Sequence, residues 1–166
     1  KLVVKSGTEV SMAACATPNW SQEEAQKRMD NIIAKSYTGG EKIDAVLSSN
    51  DSVANGITNA LLAAGYTEEN FPIITGQDCE ITSVKNMLKG LQSMSVFVDT
   101  RRLANVTADM VDAIMNGEEP EINNMEDYDN GTGIIPTYLC DPQVCDIDNY
   151  KEVLIDSGYY TEDRLQ

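Results

Sequence analysis

The sequence predicts an α/β fold built on a parallel sheet, and three observations carry that prediction. Apolar, strand-like runs alternate with helical patterns along the chain. Four of those runs end in a short polar turn that opens a helix: Ser6-Gly7, Ser49-Asn50-Asp51, Gly76-Gln77-Asp78 and Val98-Asp99-Thr100. The hydrogen-bonding groups at these turns are neutral or acidic, and no phosphate-cradling glycine loop occurs among them. Open parallel α/β sheets bind ligands in the crevice beyond the carboxyl ends of their strands. The pattern therefore predicts a site for a small, polar, uncharged molecule.

The elements follow in order. Leu2 to Lys5 reads as a short strand entered in mid-protein, without the long apolar stretch of a signal peptide. The chain is accordingly expected to be a fragment, with any targeting segment upstream. Ser21-Gln22-Glu23-Glu24 has the form of a capping box and opens a helix with Ala25, Met29, Ile32 and Ile33 on one side. Gly39-Gly40 ends that connection. Ala45-Val46-Leu47 is a strand of the buried type; Asp51 or Ser52 then caps a helix through Val53, Ile57, Ala60, Leu61 and Ala64, which Gly65 closes. Pro72 to Thr75 is the third strand, followed by a helix with Val84, Met87 and Leu88 that stops at Gly90. Met94 to Val98 is the fourth, followed by a helix over 101–116 that Gly117 closes. Right-handed crossovers would place helices on both faces of the sheet, giving three layers.

Beyond Gly117 the rhythm changes. Asp127-x-Asp129-x-Gly131 faintly resembles a calcium loop, but Tyr138 stands where the bidentate Glu belongs, so a turn is the better reading. Gly133 to Leu139 is an extended run broken by Pro136, suited to an edge or connecting strand. A last amphipathic helix spans about 148–157 and ends at Gly158.

Composition narrows the function. At 166 residues the chain can bury one domain core. Its 27 acidic and 12 basic side chains leave a net charge of −15. Phosphate contacts from Lys and Arg dominate nucleic-acid affinity, so nucleic acid is a poor partner for such a surface; a neutral sugar or polyol meets no such objection. There is no histidine. That removes the Ser-His-Asp and Cys-His nucleophile systems and the histidine-based zinc motifs. The four cysteines, Cys15, Cys79, Cys140 and Cys145, contain no Cys-x-x-Cys pair, and no metal site or cofactor is expected. Cys140 and Cys145 flank four residues, short enough to close as a disulfide outside the cytosol; free thiols packed as small hydrophobes are the other reading.

Three residues are read directly as candidates for ligand contact, Asn50, Asp78 and Trp20. Asn50 follows a buried strand and offers a donor and an acceptor together, as a sugar hydroxyl requires. Asp51, one residue later, fits a helix cap better than a ligand contact. Asp78 stands just past the third strand, where a carboxylate can accept from two adjacent hydroxyls. Trp20, the lone tryptophan, follows the first strand by a loop, and its indole face could cover the apolar side of a pyranose.

Several segments together carry a family resemblance. Trp20-x4-Ala25-x3-Met29-Asp30, Ile43-Asp44-Ala45-Val46-Leu47-Ser48-Ser49-Asn50-Asp51, Gly76-Gln77-Asp78 and Val96-Phe97-Val98-Asp99-Thr100-Arg101 resemble the monosaccharide-binding proteins of bacterial ABC transporters. The likeness is to glucose/galactose, xylose and multiple-sugar binders of the type I periplasmic-binding-protein fold. It continues to Tyr150-Lys151-Glu152-Val153-Leu154 and Gly158-Tyr159-Tyr160.

The resemblance implies two Rossmann-like lobes that close on a sugar, this chain being the second half. Residues 1–98 would belong to the C-terminal lobe, 99–135 would cross into the N-terminal lobe, and 136–166 would return. Trp20 would be the stacking aromatic, with Asn50 and Asp78 as polar contacts. Val98 departs from the family, which usually has Asn, Gln or Lys there, and Asp99 is the candidate substitute. The implied function is extracytoplasmic capture of a monosaccharide, from the periplasm or as a surface lipoprotein. Delivery would be to a membrane permease, with a chemoreceptor as a second partner, without catalysis. The effector domain of a sugar-responsive, LacI-type transcription regulator shares the fold and is the alternative. Without its other half, helix 101–116 would lose the lobe it packs against, so the fragment is expected to self-associate.

Overall fold

A computed structural model describes residues 16–39 and 41–165. The expected strand Leu2–Lys5, the turn Ser6-Gly7, Cys15 and Gly40 lie outside the described residues.

Helix α1 spans Gln22–Ser36, and the Ser21 hydroxyl caps it by accepting the Glu24 N–H at 3.3 Å. Its buried residues, Ala25 and Met29, join a core with Val53, Ile57, Leu61 and Ile74. The partner in that core is helix α2, Asp51–Ala63. The two helices approach so closely at Gly56 that a Cβ there would run into the Gln22 carbonyl oxygen.

Strands β1 (Ala45–Val46) and β2 (Ile73–Ile74) pair in parallel, Ala45 opposite Ile73. Helix α3 (Ile81–Leu88) leads to β3 (Met94–Phe97). A parallel bridge between Gln77 and Val96 joins the end of β2 to β3, with the Val96 N–H donating to the Gly76 carbonyl at 2.9 Å. β3 also pairs antiparallel with β4 (Gln143–Asp146), Ser95 opposite Cys145. The Gln77–Val96 bridge thus links two two-stranded sheets, parallel β1-β2 and antiparallel β3-β4. Gly65, Gly90 and Gly117 each follow a helix with φ between +73° and +90°, the left-handed conformation expected after a helix end.

β4 has no counterpart among the strands expected from the sequence. It forms because β3 offers it an edge, a partner dozens of residues away that no local pattern announces. Cys140 and Cys145 are not joined in this structure, the second of the two readings open from the sequence. Cys79, Cys140 and Cys145 are all free thiols, and strand β4 carries Cys145 into a second core with Cys79, Val84, Met87, Phe97 and Leu154. Gly133–Leu139 forms only isolated bridges, Thr137 to Asn124 and Ile134 to Asp129, as a connection would. The helix expected over about 148–157 is a short π-helical segment, Lys151–Asp156, and a 3-10 turn, Glu162–Leu165, follows it.

Helix α4, Thr100–Met115, stands apart from both cores: none of its residues is buried. Leu103, Val111, Ile114 and Met115 form an uncovered apolar stripe.

Candidate ligand-binding site

The turns beyond β1, β2 and β3 are stitched side by side. The Asp51 N–H donates to the Gln77 carbonyl at 2.9 Å, and the Asp78 N–H donates to the Val96 carbonyl at 2.8 Å. These bonds set Asn50 and Asp78 on neighbouring strand ends, with Asp99 on the next. Trp20 occupies a separate short 3-10 turn, Pro18–Trp20, immediately before α1. No hydrogen bond joins it to Asn50, Asp78 or Asp99 among the described residues.

Asn50, not Asp51, caps α2: its Oδ1 accepts the Val53 N–H at 3.1 Å. The Asn50 Nδ2 makes no hydrogen bond to the described residues and remains available as a donor. The expectation that Asp51 caps this helix is therefore corrected. Asp51 is fully buried, and its carboxylate accepts from the Glu80 N–H at 2.8 Å, the Gln92 Nε2 at 2.9 Å and the Ser95 hydroxyl at 2.9 Å. A cap needs a carboxylate turned back onto the N–H groups of the first helical turn; this one instead accepts from groups on other elements. Burial raises its pKa to about 6, against the lowering effect of the three hydrogen bonds. Gly76 makes room for it, since a Cβ at that position would coincide with the Asp51 Oδ1. Glu80 adds a second layer, accepting from the Ser52 hydroxyl at 2.7 Å.

Asp78 itself is exposed, at φ +99°, and Cys79 follows at φ +52°. Asn19 and Trp20 lie at φ +56° and +50°, and these four are the non-glycine residues in the left-handed region among those described. Such conformations cost roughly 1–3 kcal/mol each and persist where the surroundings over-determine them, commonly at functional sites. Trp20 is 63% exposed, which rules out the core role most lone tryptophans play. The two strained turns therefore carry two of the four residues singled out in the sequence.

Asp99 is already committed. It caps α4 by accepting the Arg101 N–H at 2.9 Å and pairs with the Arg101 guanidinium, Nη2 lying 2.7 Å from Oδ2. Arg101 hydrogen bonding holds its carboxyl below the usual carboxylate range. Arg101 in turn lies over the Tyr159 ring, 5.1 Å from its centre. Asp99 borders a cleft of about 310 Å³ with Phe97, Arg102 and Glu152, and neither Trp20, Asn50 nor Asp78 lines it. Among the described residues no group of three or more Cys, Asp or Glu is placed to hold a metal ion.

Sequence reasoning missed Asp51, Gln92, Ser95 and Gly76 as the support beneath Asp78. The one available signal was Gly76 directly after an apolar strand, where a close approach of another group calls for a missing side chain.

Residues 2–119 match the periplasmic binding protein domain. The chain belongs to the periplasmic binding protein family, as the sequence resemblance implied. It is 45% identical over its whole length to the multiple sugar-binding periplasmic receptor ChvE of Rhizobium radiobacter, of which it spans 47%. It is 33% identical over 88% of its length to the D-xylose-binding periplasmic protein of Escherichia coli K12, spanning 42% of that protein. Among solved structures, an ABC transporter solute-binding protein from Clostridium phytofermentans, with β-D-glucose bound, superimposes with a TM-score of 0.87 at 59% identity. That alignment covers 99% of this chain and 50% of the other. The chain thus spans about half the length of the relatives it matches, and its fold is a partial type I periplasmic-binding-protein fold.

Proposed function

We propose that this chain forms one wall of the monosaccharide site of an extracytoplasmic solute-binding protein that serves an ABC importer. One observation carries the reading: Trp20 and Asp78, an exposed aromatic face and an exposed carboxylate, both sit on left-handed backbone. An indole covers the apolar C–H face of a pyranose while polar groups hold its hydroxyls. Asn50 Nδ2 would donate to one hydroxyl and Asp78 would accept from two. Asp99 would join them only on parting from Arg101. The relatives support the sugar class, since their names specify multiple sugars, xylose and bound β-D-glucose. They disfavour the transcription-regulator alternative.

Residues 1–98 and 136–166 would form part of the C-terminal lobe, and 99–135 part of the N-terminal lobe. The bare surface of α4 supports that division, because a helix without a buried residue still has its packing partner to find. Closure of the lobes would trap the sugar for delivery to a membrane permease, and in some settings to a chemoreceptor, with no chemical step. A lipid anchor at the cell surface is one form such a protein takes. Calorimetry of the full-length protein with D-glucose, D-galactose and D-xylose tests the reading. Binding of at least one aldose is expected, and a full-length protein indifferent to all of them would overturn it.

A further inference from the structure

Cys79 and Cys145 stand 66 residues apart in the sequence, yet both side chains are fully buried in the second core. Ser95 explains how they meet. The Cys79 N–H donates to the Ser95 hydroxyl at 3.0 Å, and the Cys79 Sγ lies 3.8 Å from the Ser95 carbonyl oxygen. Ser95 is itself the register partner of Cys145 across the β3–β4 ladder. Residues directly opposite on an antiparallel pair project to the same face. Both cysteines are fully buried. The neighbouring Cys145 thiol, with burial, keeps the Cys79 thiol protonated well above its ordinary range.

We propose that Cys79 and Cys145 form a disulfide when the protein matures in an oxidising compartment. The bond would tie the strained turn at Asp78-Cys79 to strand β4, fixing the backbone that presents Asp78. Each thiol gives up its proton, one S–S bond forms, and the two electrons pass to a dithiol–disulfide oxidant. With glutathione disulfide as that oxidant, its S–S bond is cleaved and two glutathione thiols are released. Access is a matter of timing: folded burial shields both sulfurs, so oxidation belongs to the folding chain, before the core closes. The extracytoplasmic reading enters only as the natural source of oxidant; the pairing rests on the core geometry and is independent of sugar binding.

The test refolds the reduced full-length protein in a glutathione/glutathione-disulfide buffer, then quenches with N-ethylmaleimide and maps its peptides without reduction. The expected product is a linked Cys79–Cys145 peptide, with Cys140 carrying the alkylating group. Recovery of Cys79 and Cys145 as alkylated thiols overturns the proposal, as does linkage of either to Cys140 or Cys15. A variant carrying Cys15→Ser and Cys140→Ser keeps the intended pair and removes these competitors; it should yield the same linked peptide, and two alkylated thiols in its place would equally overturn the proposal.

Discussion

The Ser95 hydroxyl lies 2.9 Å from both carboxylate oxygens of Asp51, across 44 residues of sequence. The same carboxylate receives the Glu80 N–H and the Gln92 amide, so one buried acid connects the ends of β1, β2 and β3. Asn50 precedes it by one residue, and Asp78 lies in the turn it holds. The proposed sugar contacts thus rest on an internal charge rather than on each other.

That charge sets a pH dependence. Asp51 has its pKa raised to about 6 in the fold from an ordinary value of 3.8. A raised carboxyl pKa means the folded state binds more protons between those values, so the contribution to stability is full below 3.8 and falls as pH rises through 6. A shift of this size corresponds to about 3 kcal/mol at ~1.4 kcal/mol per unit. Asp51→Asn should abolish this part of the slope. Its amide cannot accept from all three donors, so one bond fails and stability at low pH drops by ~1–3 kcal/mol. Urea unfolding of wild type and variant from pH 4 to 7 checks both effects: the gap between them should narrow as pH rises, and a constant gap would count against the titration.

Gly76 is the complementary position. A methyl group there would displace the Asp51 carboxylate, whose Oδ1 occupies the space. Gly76→Ala should therefore lower stability by roughly 2–4 kcal/mol, as buried-network losses and overpacking do. It should also weaken sugar binding through the shifted Asp78 turn. Thermal melting with and without sugar separates the two effects, and a variant that melts like wild type would show that Asp51 has room to move.

What was legible in the sequence, and what was not, divides by sequence separation. Ser21 with Glu24, and the glycines at 65, 90 and 117, marked helix ends correctly because capping is settled within a few residues. β4 and the Asp51 network were illegible for the opposite reason: both depend on β3 arriving from elsewhere in the chain. An Asp at a strand-to-helix junction suits a cap and a buried anchor equally, and only the presence of Gln92 and Ser95 decides between them. Asn50 was singled out as a contact but not as the cap it also is.

Trp20 separates binding from folding. It is largely exposed, so Trp20→Ala removes little core packing and should leave the melting temperature of the sugar-free protein within about 2 °C. Loss of a stacking face should weaken aldose binding about tenfold to hundredfold, some 1.4–2.8 kcal/mol. Calorimetry on the full-length variant gives the answer, and unchanged affinity would remove the indole from the site.

The apolar stripe on α4 makes a prediction for the isolated 166-residue segment. With Leu103, Val111, Ile114 and Met115 uncovered, two copies gain by pairing these faces. Sedimentation should show concentration-dependent association that Val111→Asp with Ile114→Lys abolishes. A monomer at every concentration would show that the stripe tolerates water.

Asp78 offers the sharpest division between stability and function. Its φ of +99° is one that glycine adopts without penalty and a side chain resists. Asp78→Gly removes that strain, and the exposed carboxylate gives up no core contact in exchange; among the described residues its side-chain partner is the Gln77 amide, at 3.5 Å. Glycine also loses more backbone freedom on folding, which offsets part of the gain, so the net rise in stability should be ~1 kcal/mol or less, yet positive. Sugar affinity should fall by tenfold or more, because the variant has no carboxylate to accept the hydroxyls. Asp78→Asn keeps the strain and one acceptor, and should sit between the two in affinity with no gain in melting temperature. Strain held at a binding residue has this signature: the substitution that relaxes the fold is the one that empties the site. A glycine variant that melts lower than wild type, or binds as well, would show that the left-handed turn serves the fold rather than the ligand.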